Sequence, residues 1–193
     1  MKKIIAMLLA LTCVMGLVAC GEKAPAAETT APAAVNVPAS ALEVLTNIWN
    51  GVPEDSRFFA MGGDMTNPVD NAPGNYSLED EGLTSTLLIP AEQVANVTEA
   101  ASLVHGMMLN NFTCGVFHMA EGADAAAFAQ VMRDAIANNQ WICGMPEKMI
   151  VAIIGGEYVL ACFGINDAVN PFETSLGTAY ADAEVKFSES LAR

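Results

Sequence analysis

Two short apolar runs separated by a pair of glycines restrict the folds open to this chain more than any other feature. Met149 to Ile154 and Tyr158 to Phe163 are rich in β-branched and aromatic side chains, and Gly155-Gly156 lies between them. Paired glycines accept the positive φ angles of a two-residue hairpin turn. The pattern predicts an antiparallel pair with Met149 opposite Cys162, so a purely parallel sheet is excluded. Because both runs are apolar on both faces, we expect them in the middle of the sheet or under helices.

Apolar residues recur at helical spacing in four other parts of the chain. In one of them Phe128, Met132 and Ile136 share a face, and Asn138-Asn139 ends the pattern. The helices predicted in this way span residues 40–51, 92–108, 124–138 and 166–180. The expected N-caps are Ser40, Asp124, and Asn166 or Asp167.

The remaining β-type runs complete the predicted domain. Strands are expected at residues 58–61, 83–89, 112–119 and 183–187, in addition to the hairpin. Residues 62–75 are rich in Gly, Pro, Asn and Asp, a composition that favours turns. The economical architecture is an α+β domain of two layers, with helices packed on one face of a mainly antiparallel sheet of four or five strands. This single domain is expected to occupy residues 40–193.

The amino-terminal residues have the pattern of an exported lipoprotein. Lys2-Lys3 precedes an uncharged run, Ile4 to Ala19, that is too short for a membrane-spanning helix of about 20 residues. The run ends in Leu17-Val18-Ala19-Cys20-Gly21, which resembles the bacterial lipobox, where a signal peptidase cuts before a cysteine that carries diacylglycerol. We therefore expect residues 1–19 to be a signal peptide and Cys20 to be the lipid attachment site.

The signal peptide predicts that the rest of the chain lies outside the cytoplasm, and its composition argues against a nucleic-acid partner. Residues 20–39 are rich in Ala, Pro and Thr, and we expect them to be a tether between lipid and domain. The chain has 22 acidic and 8 basic side chains, a formal net charge of -14. Such a charge repels nucleic-acid phosphates and anionic headgroups. We expect the protein on the extracytoplasmic face of a bacterial cell membrane, held there by the lipid on Cys20.

A series of motifs in the carboxyl-terminal half resembles a known protein family. Gly122-Ala123-Asp124, Gln140-Trp141-Ile142-Cys143, Glu147 to Ala152 and the hairpin sequence Gly156 to Leu160 follow one another in this order. Over roughly residues 80 to 187 they look like an uncharacterised lipoprotein family, a domain of unknown function, of Gram-positive anaerobic bacteria. The resemblance implies a lipid-anchored α+β domain and supplies no active-site residues.

Three cysteines remain as candidates for chemistry after the lipid attachment site. Cys114, Cys143 and Cys162 lack Cys-x-x-Cys spacing and lie in or beside predicted strands, which argues against a zinc ribbon or a thioredoxin-type motif. Small buried thiols are the favoured interpretation. A disulfide between two of the three and a reactive thiol remain open, and Cys143, near Trp141, is the one expected to be exposed.

Histidines and acidic residues give no metal or catalytic signature. His105 and His118 are the only histidines, so a three-histidine metal site is impossible. A pairing of either histidine with Cys114 or Cys143 remains open, because such partners meet only in space. The acids of the turn-rich region and of the acidic cluster after it could bind calcium, but no twelve-residue window has the EF-hand pattern, and we interpret them as solvated loop acids. They are Asp64, Asp70 and Glu79 to Glu81. We therefore assign no catalytic, cofactor-binding or metal-ligating residue and expect no cofactor.

The methionines admit two interpretations. A soft binding surface is one, the filling of irregular core space is the other, and the core is favoured for Met107, Met108, Met132 and Met149.

The favoured function is a lipid-anchored, non-enzymatic binding or accessory module that meets a protein partner at the cell surface through an exposed apolar or aromatic patch. One alternative is a small thiol-dependent enzyme or redox protein using Cys143 or Cys114. Another is an importer-associated substrate-binding lipoprotein, although such receptors usually need two lobes.

Overall fold

A computed structural model describes residues 38–191 of the chain. The predicted signal peptide, the predicted lipid attachment site Cys20, and the tether up to residue 37 lie outside the described residues. Within residues 38–191, every helix is too short or too polar to cross a bilayer.

The described residues form four α-helices and eight strands. The helices are α1 (Ala41–Gly51), α2 (Gly82–Ser85), α3 (Ala125–Ala137) and α4 (Asn166–Ala179). The strands are β1 (Ala60–Gly62), β2 (Val69–Asp70), β3 (Gly74–Tyr76), β4 (Val97–His105), β5 (Phe112–Met119), β6 (Lys148–Ile154), β7 (Tyr158–Gly164) and β8 (Glu184–Ser190).

The strands form one antiparallel sheet in the order β2-β1-β4-β5-β7-β6-β8, and β3 also pairs with β4. Residues 100–102 of β4 pair with β3 and residues 103–105 pair with β1, so these two short strands share one edge of β4. The predicted α+β class and antiparallel sheet are confirmed. The predicted count of four or five strands is wrong, because it omitted β2 and β3 within the turn-rich stretch and the long strand β4.

Helices cover both faces of the sheet, not one as predicted. In β6, Ile150, Ala152 and Ile154 belong to the core that includes α1 and α4. The alternate residues Met149, Val151 and Ile153 belong to the core that includes α3. Since a strand with apolar side chains on both faces must be covered on both, the two-layer prediction is corrected to helices on both sides of a central sheet.

The hairpin of β6 and β7 is confirmed, with a register that differs by one residue from the prediction. Ile150, not Met149, lies opposite Cys162. Gly155 and Gly156 have φ angles of 59° and 77°, as the turn requires, but Glu157 is an additional unpaired residue before β7. A shift of one residue moves every side chain of a strand to the other face, and this extra residue therefore decides which side chains enter each core.

The helix starts show which capping predictions hold. Ser40 caps α1, because its Oγ accepts a hydrogen bond of 3.0 Å from the backbone N–H of Glu43. Asp124 caps α3 through the backbone N–H groups of Ala126 and Ala127. Neither Asn166 nor Asp167 caps α4. The carboxylate of Glu147 instead accepts from the backbone N–H of Asn166 at 2.8 Å.

Two predicted elements are wrong in type. Residues 92–108, predicted as a helix, contain a 3₁₀ turn followed by β4. Residues 83–89, predicted as a strand, begin with the short helix α2. The run Ala100 to Val104 is apolar or small at each position because both faces of β4 are covered, and a continuous apolar run fits helical spacing by coincidence.

The sheet has two ends, and the chain enters the domain at one of them. The turn between β6 and β7 marks the entry end, where the Tyr158 hydroxyl donates a buried hydrogen bond of 3.1 Å to the backbone oxygen of Pro38. At the opposite end, which we call the distal end, β4 finishes at His105 and β5 begins at Phe112. The loop from α3 to β6, residues 138–147, also lies there because β6 begins at that end.

Candidate functional site

Most exposed large hydrophobic side chains among the described residues lie at or beside the distal end. They come from the segment before β1, from the β1–β2 and β4–β5 connections, and from the α3–β6 loop. We call them the methionine-rich surface: Phe59, Met65, Met107, Met108, Leu109, Ile142 and Met145. Met65, Met107 and Ile142 are 88%, 83% and 79% exposed. Because these side chains contribute little to the core, their apolar area is available for burial against another molecule.

Specific contacts join the loops that carry this surface. The side-chain amide of Asn110 donates hydrogen bonds to the backbone oxygens of Ile142 at 2.8 Å and Gly144 at 2.7 Å. On the other side of the β4–β5 connection, Gly106 lies against the Phe59 ring, which a Cβ at that position would strike. The α3–β6 loop, the β4–β5 connection and the segment before β1 therefore form one continuous surface.

His105 shapes the start of the β4–β5 connection. Its Nδ1 accepts hydrogen bonds from the backbone N–H groups of Met107 at 3.2 Å and Met108 at 3.4 Å. The imidazole also stacks on Phe58, with 5.2 Å between the ring centroids. These two bonds to Nδ1 fix the backbone at Met107 and Met108, while their side chains stay exposed.

An apolar pocket of about 300 Å³ opens beside the methionine-rich surface. Met61 and Val104 lie directly opposite each other in β1 and β4, and both line it. Met65 and Leu109 of the methionine-rich surface line it as well. Its volume is at the lower end of the range for ligand sites, a size that suits one large apolar side chain.

Asp64 holds the β1–β2 loop that forms one wall of this pocket. Its carboxylate accepts backbone hydrogen bonds from Thr66 at 2.9 Å, Asn67 at 2.8 Å and Ser77 at 3.1 Å. These bonds, with that of Asn67 the strongest influence, lower the pKa of Asp64 below its ordinary value and outweigh the opposing effect of burial. Asp64 is therefore a structural acid and not the solvated loop acid that the sequence predicted.

Glycines let the same loop approach β3 closely. A Cβ on Gly62 would overlap the backbone at Ala72, Pro73 and Gly74, and Gly63 has a φ of 80°. The composition that predicted irregular turns at residues 62–75 thus builds a defined pocket wall. Behind it, burial raises the pKa of the lining residue Tyr76 to about 12.

A second, polar pocket of about 570 Å³ lies on the other side of His105, at the start of α4. Asp55 and Asp167 line it and are exposed. Arg57 also lines it, but its guanidinium donates to the backbone oxygens of Val52 and Asn50, each at 3.0 Å. The distal end therefore places exposed carboxylates beside the methionine-rich surface.

The Trp141 region has its own pocket, separate from the one beside Met65. Trp141, Gly144 and Met145 line a cavity of about 540 Å³. The β4–β5 connection lies between the two cavities, since Leu109 lines the apolar pocket while Asn110 binds the Trp141 loop. The turn-rich stretch and the Trp141 loop thus meet at one surface but not in one concavity.

The methionines and cysteines divide into buried and exposed groups. Met132 and Met149 are core residues, as predicted, whereas Met107 and Met108 are exposed, so the core prediction is wrong for that pair.

Among the three candidate cysteines, Cys143 is exposed, as predicted, with a φ of 63°. The other two candidates, Cys114 and Cys162, are buried thiols opposite each other in β5 and β7.

The second histidine lies away from the methionine-rich surface, towards the entry end. His118 stacks on Tyr158 with 4.5 Å between centroids, and its two ring nitrogens lie 4.0 Å from Glu99 and 3.9 Å from Glu157. A histidine between two carboxylates is an ordinary surface arrangement when its ring is packed on a neighbour. Residues 38–191 bring no three His, Cys, Asp or Glu side chains together in a geometry suited to a metal ion.

Comparison of the chain with known protein families, with curated proteins and with solved structures finds no match. The site therefore rests on its own geometry. Sequence patterns pointed to Met107 and Met108 as one of two possibilities, but gave no signal for Phe59, Met65 or Leu109. Their exposure depends on which loops β4 and β5 bring together, and β4 was predicted as a helix.

Proposed function

We propose that the protein is a lipid-anchored extracytoplasmic binding module, without enzymatic activity, that holds a partner protein at its methionine-rich surface. The observation that carries the proposal is the concentration of exposed methionine and other apolar side chains around a pocket at the distal end. Flexible, polarizable methionines suit a surface that adapts to a partner. A large apolar side chain of that partner would fill the pocket of about 300 Å³.

The direction of the tether supports this role. Pro38 joins the domain at the entry end, opposite the methionine-rich surface. If Cys20 carries the lipid, the chain reaches the domain from the side of Pro38, so the lipid does not compete with the methionine-rich surface for one end of the domain.

The charge of the domain favours a basic partner segment. The basic residues in the described part are Arg57, Arg133, Lys148 and Lys186. The last three form ion pairs with neighbouring carboxylates, and Arg57 binds backbone oxygens. Arg57 keeps its charge and lines the same pocket as Asp55 and Asp167, and the two exposed acids outnumber it, so the pocket still attracts cations. We therefore propose that the partner segment is apolar with flanking Lys or Arg, and the same acidity disfavours contact with anionic lipid.

A defined peptide tests this function. A fluorescent peptide of alternating Leu and Lys should bind the protein, as measured by anisotropy, and binding should weaken as salt increases. Replacing two exposed side chains, Met65→Gln with Met107→Gln, should weaken binding by roughly tenfold or more, because burial of one methionine contributes on the order of 1.5–3 kcal/mol.

Two controls decide what the binding means. Val185→Gln, an exposed apolar position on the edge strand β8, should leave the affinity unchanged. A Leu–Glu peptide of equal length should bind at least tenfold more weakly, since its charges are repelled. Equal affinity of the Met65→Gln/Met107→Gln variant and the unmodified protein would remove the methionine-rich surface from the proposal.

The lipid anchor has its own test. Radiolabelled palmitate should enter the protein in its native host, and Cys20→Ser should abolish the label and move the protein from the detergent phase to the aqueous phase. Acyl chains contribute about 0.8 kcal/mol per buried methylene, so loss of the lipid should be decisive for membrane association. Unlabelled protein that partitions like Cys20→Ser would contradict the anchor.

Exposure of Cys143 favours one alternative, a thiol-dependent activity. It lies between Ile142 and Gly144, whose backbone oxygens accept from Asn110, and this places it beside the methionine-rich surface. A catalytic thiol is more reactive than ordinary cysteine because it is ionised at lower pH. Alkylation of Cys143 faster than that of free cysteine below neutral pH would support the alternative, whereas equal or slower alkylation would support the binding module.

A further inference from the structure

Two buried cysteines face each other across the middle of the sheet. Cys114 of β5 and Cys162 of β7 are direct register partners. Both side chains are fully buried and belong to the same core, on the face covered by α1 and α4. Direct partners in an antiparallel pair point to the same side of the sheet, so the two sulfur atoms share one small volume.

The hydrogen bonds of the ladder show that this pair is of the closer type. The backbone N–H of Ile165 donates to the oxygen of Asn111 at 2.9 Å, and that of Met119 donates to Glu157 at 2.8 Å. These bonds make Phe112–Gly164 and His118–Tyr158 non-hydrogen-bonded pairs, and by alternation Cys114–Cys162 is another. The Cα atoms of such pairs are about 4.5 Å apart, within the range of roughly 4.4–6.8 Å that a disulfide requires.

We propose that Cys114 and Cys162 form a disulfide that joins β5 to β7 in the mature protein. The inference rests on the proposed extracytoplasmic location, because structural disulfides persist in oxidising compartments. Two other observations agree with it: the partners need no backbone movement to reach each other, and the remaining described cysteine, Cys143, lies in a different, exposed loop.

The chemistry is thiol–disulfide exchange with a donor disulfide, either a dithiol oxidoreductase in its oxidised form or oxidised glutathione. The thiolate of one cysteine attacks a donor sulfur and forms a mixed disulfide, which releases the first donor thiolate. The thiolate of the second cysteine then attacks the protein sulfur of that mixed disulfide and releases the second donor thiolate. The two cysteines are oxidised, the donor is reduced, and its two thiolates take up the two protons that the cysteines lost.

Burial determines when this exchange takes place. Desolvation in the core, assisted by the neighbouring Cys114 thiol, raises the pKa of Cys162 well above its ordinary value, so its thiolate is rare in the folded state. A donor molecule also cannot reach two fully buried sulfur atoms. The disulfide therefore forms while β5 and β7 are still accessible, and the completed core then shields it from reductants.

Tryptic mapping tests the proposal directly. Cleavage after Arg57, Arg133, Lys148 and Lys186 places the three cysteines of the domain on three different peptides. The full chain, carrying Cys13→Ser and Cys20→Ser so that only these three cysteines remain, is reduced, refolded with oxidised glutathione, alkylated in denaturant and digested without reductant. We expect the peptides of residues 58–133 and 149–186 to be joined and the peptide of residues 134–148 to be alkylated at Cys143. Alkylated Cys114 and Cys162 on separate peptides, or a link through Cys143, overturns the proposal.

Stability and location provide independent readouts. Oxidised protein should unfold with an equilibrium constant lower by on the order of 10²-fold than reduced protein at equal denaturant, because the bond closes a long loop. Cys143→Ala should leave the link and this difference unchanged, and Cys114→Val should abolish the link.

Protein isolated from the native host should carry the same link, and reduced Cys114 and Cys162 in that protein would overturn the proposal. Failure of palmitate labelling with the link formed in glutathione contradicts the location alone.

Discussion

At the scale of single residues, the apolar pocket depends on one carboxylate. Asp64 binds three backbone N–H groups, from Thr66, Asn67 and Ser77, and so joins the β1–β2 loop to the residue that follows β3. Such charge-assisted bonds are stronger than neutral ones. A residue that looked like one of many loop acids in the sequence therefore fixes a wall of the candidate site.

Replacement of this residue gives the first prediction. Asp64→Asn keeps the size of the side chain but weakens its acceptor, and we expect it to lower the free energy of unfolding by about 1–2 kcal/mol at neutral pH. Because folding lowers the pKa of Asp64 from 3.8, its stabilisation is complete above that value and is lost as the pH falls through the folded-state pKa.

Urea denaturation as a function of pH measures this effect. The difference between the unmodified protein and Asp64→Asn should be largest at neutral pH and should shrink below about pH 4. Asp70→Asn, in the exposed strand β2 of the same region, serves as the matched control and should change stability little. A difference that stays constant down to strongly acidic pH would show that the charge of Asp64 is not involved.

At the scale of secondary-structure elements, the sequence predicted regions with a single, clear period. The helix α3 has one apolar face and a capping acid, and the strand β5 is a short aromatic run, so both were found with nearly correct bounds. The hairpin of β6 and β7 was found because its turn requires glycine. In these elements local pattern and tertiary environment agree.

The errors have a physical cause in the environment of the sheet. β4 is covered on both faces, and its run Ala100 to Val104 therefore lacks the alternation that marks a half-exposed strand. The short strands β2 and β3 exist only because β1 and β4 offer edges to pair with. The extra residue Glu157, which shifts the hairpin register, is likewise set by pairing across β7 and β5, since its backbone oxygen accepts from Met119.

The candidate site could be predicted less well than the fold. Residues of the methionine-rich surface are far apart in sequence and meet because of connections around β4. Met107 and Met108 follow β4, and their exposure could not be inferred while that segment was assigned to a helix with inward methionines. Ile142 and Met145 join them through the side chain of Asn110, a contact that has no sequence signature.

Asn110 gives a prediction at the element scale. Asn110→Ala removes both hydrogen bonds to the backbone of the α3–β6 loop, and we expect chymotrypsin to cleave after Trp141 roughly tenfold faster, since each bond contributes about 1 kcal/mol. Limited proteolysis followed by mass spectrometry measures the cleavage rate. Asn139→Ala, in the same loop, is the control and should leave this rate unchanged. An unchanged rate in Asn110→Ala would mean that this loop is held by other contacts.

At the scale of the whole molecule, the proposal depends on the separation of two ends of one sheet. The chain enters beside Tyr158, and the methionine-rich surface lies at the distal end, where β4 finishes. The chain has a net charge of -14, and few basic side chains of the described part lie near the methionine-rich surface. This distribution of charge and apolar area favours a basic, apolar partner segment.

Position-specific cross-linking on intact cells measures the central claim most directly. A photoreactive amino acid is placed at position 107 in the methionine-rich surface, or at position 185 on the edge strand β8 as the control. Both positions carry exposed apolar side chains. We predict that position 107 gives a defined protein adduct that is reduced by Met65→Gln and lost with Cys20→Ser, and that position 185 gives none. Equal adducts at both positions, or none at position 107, would contradict the account.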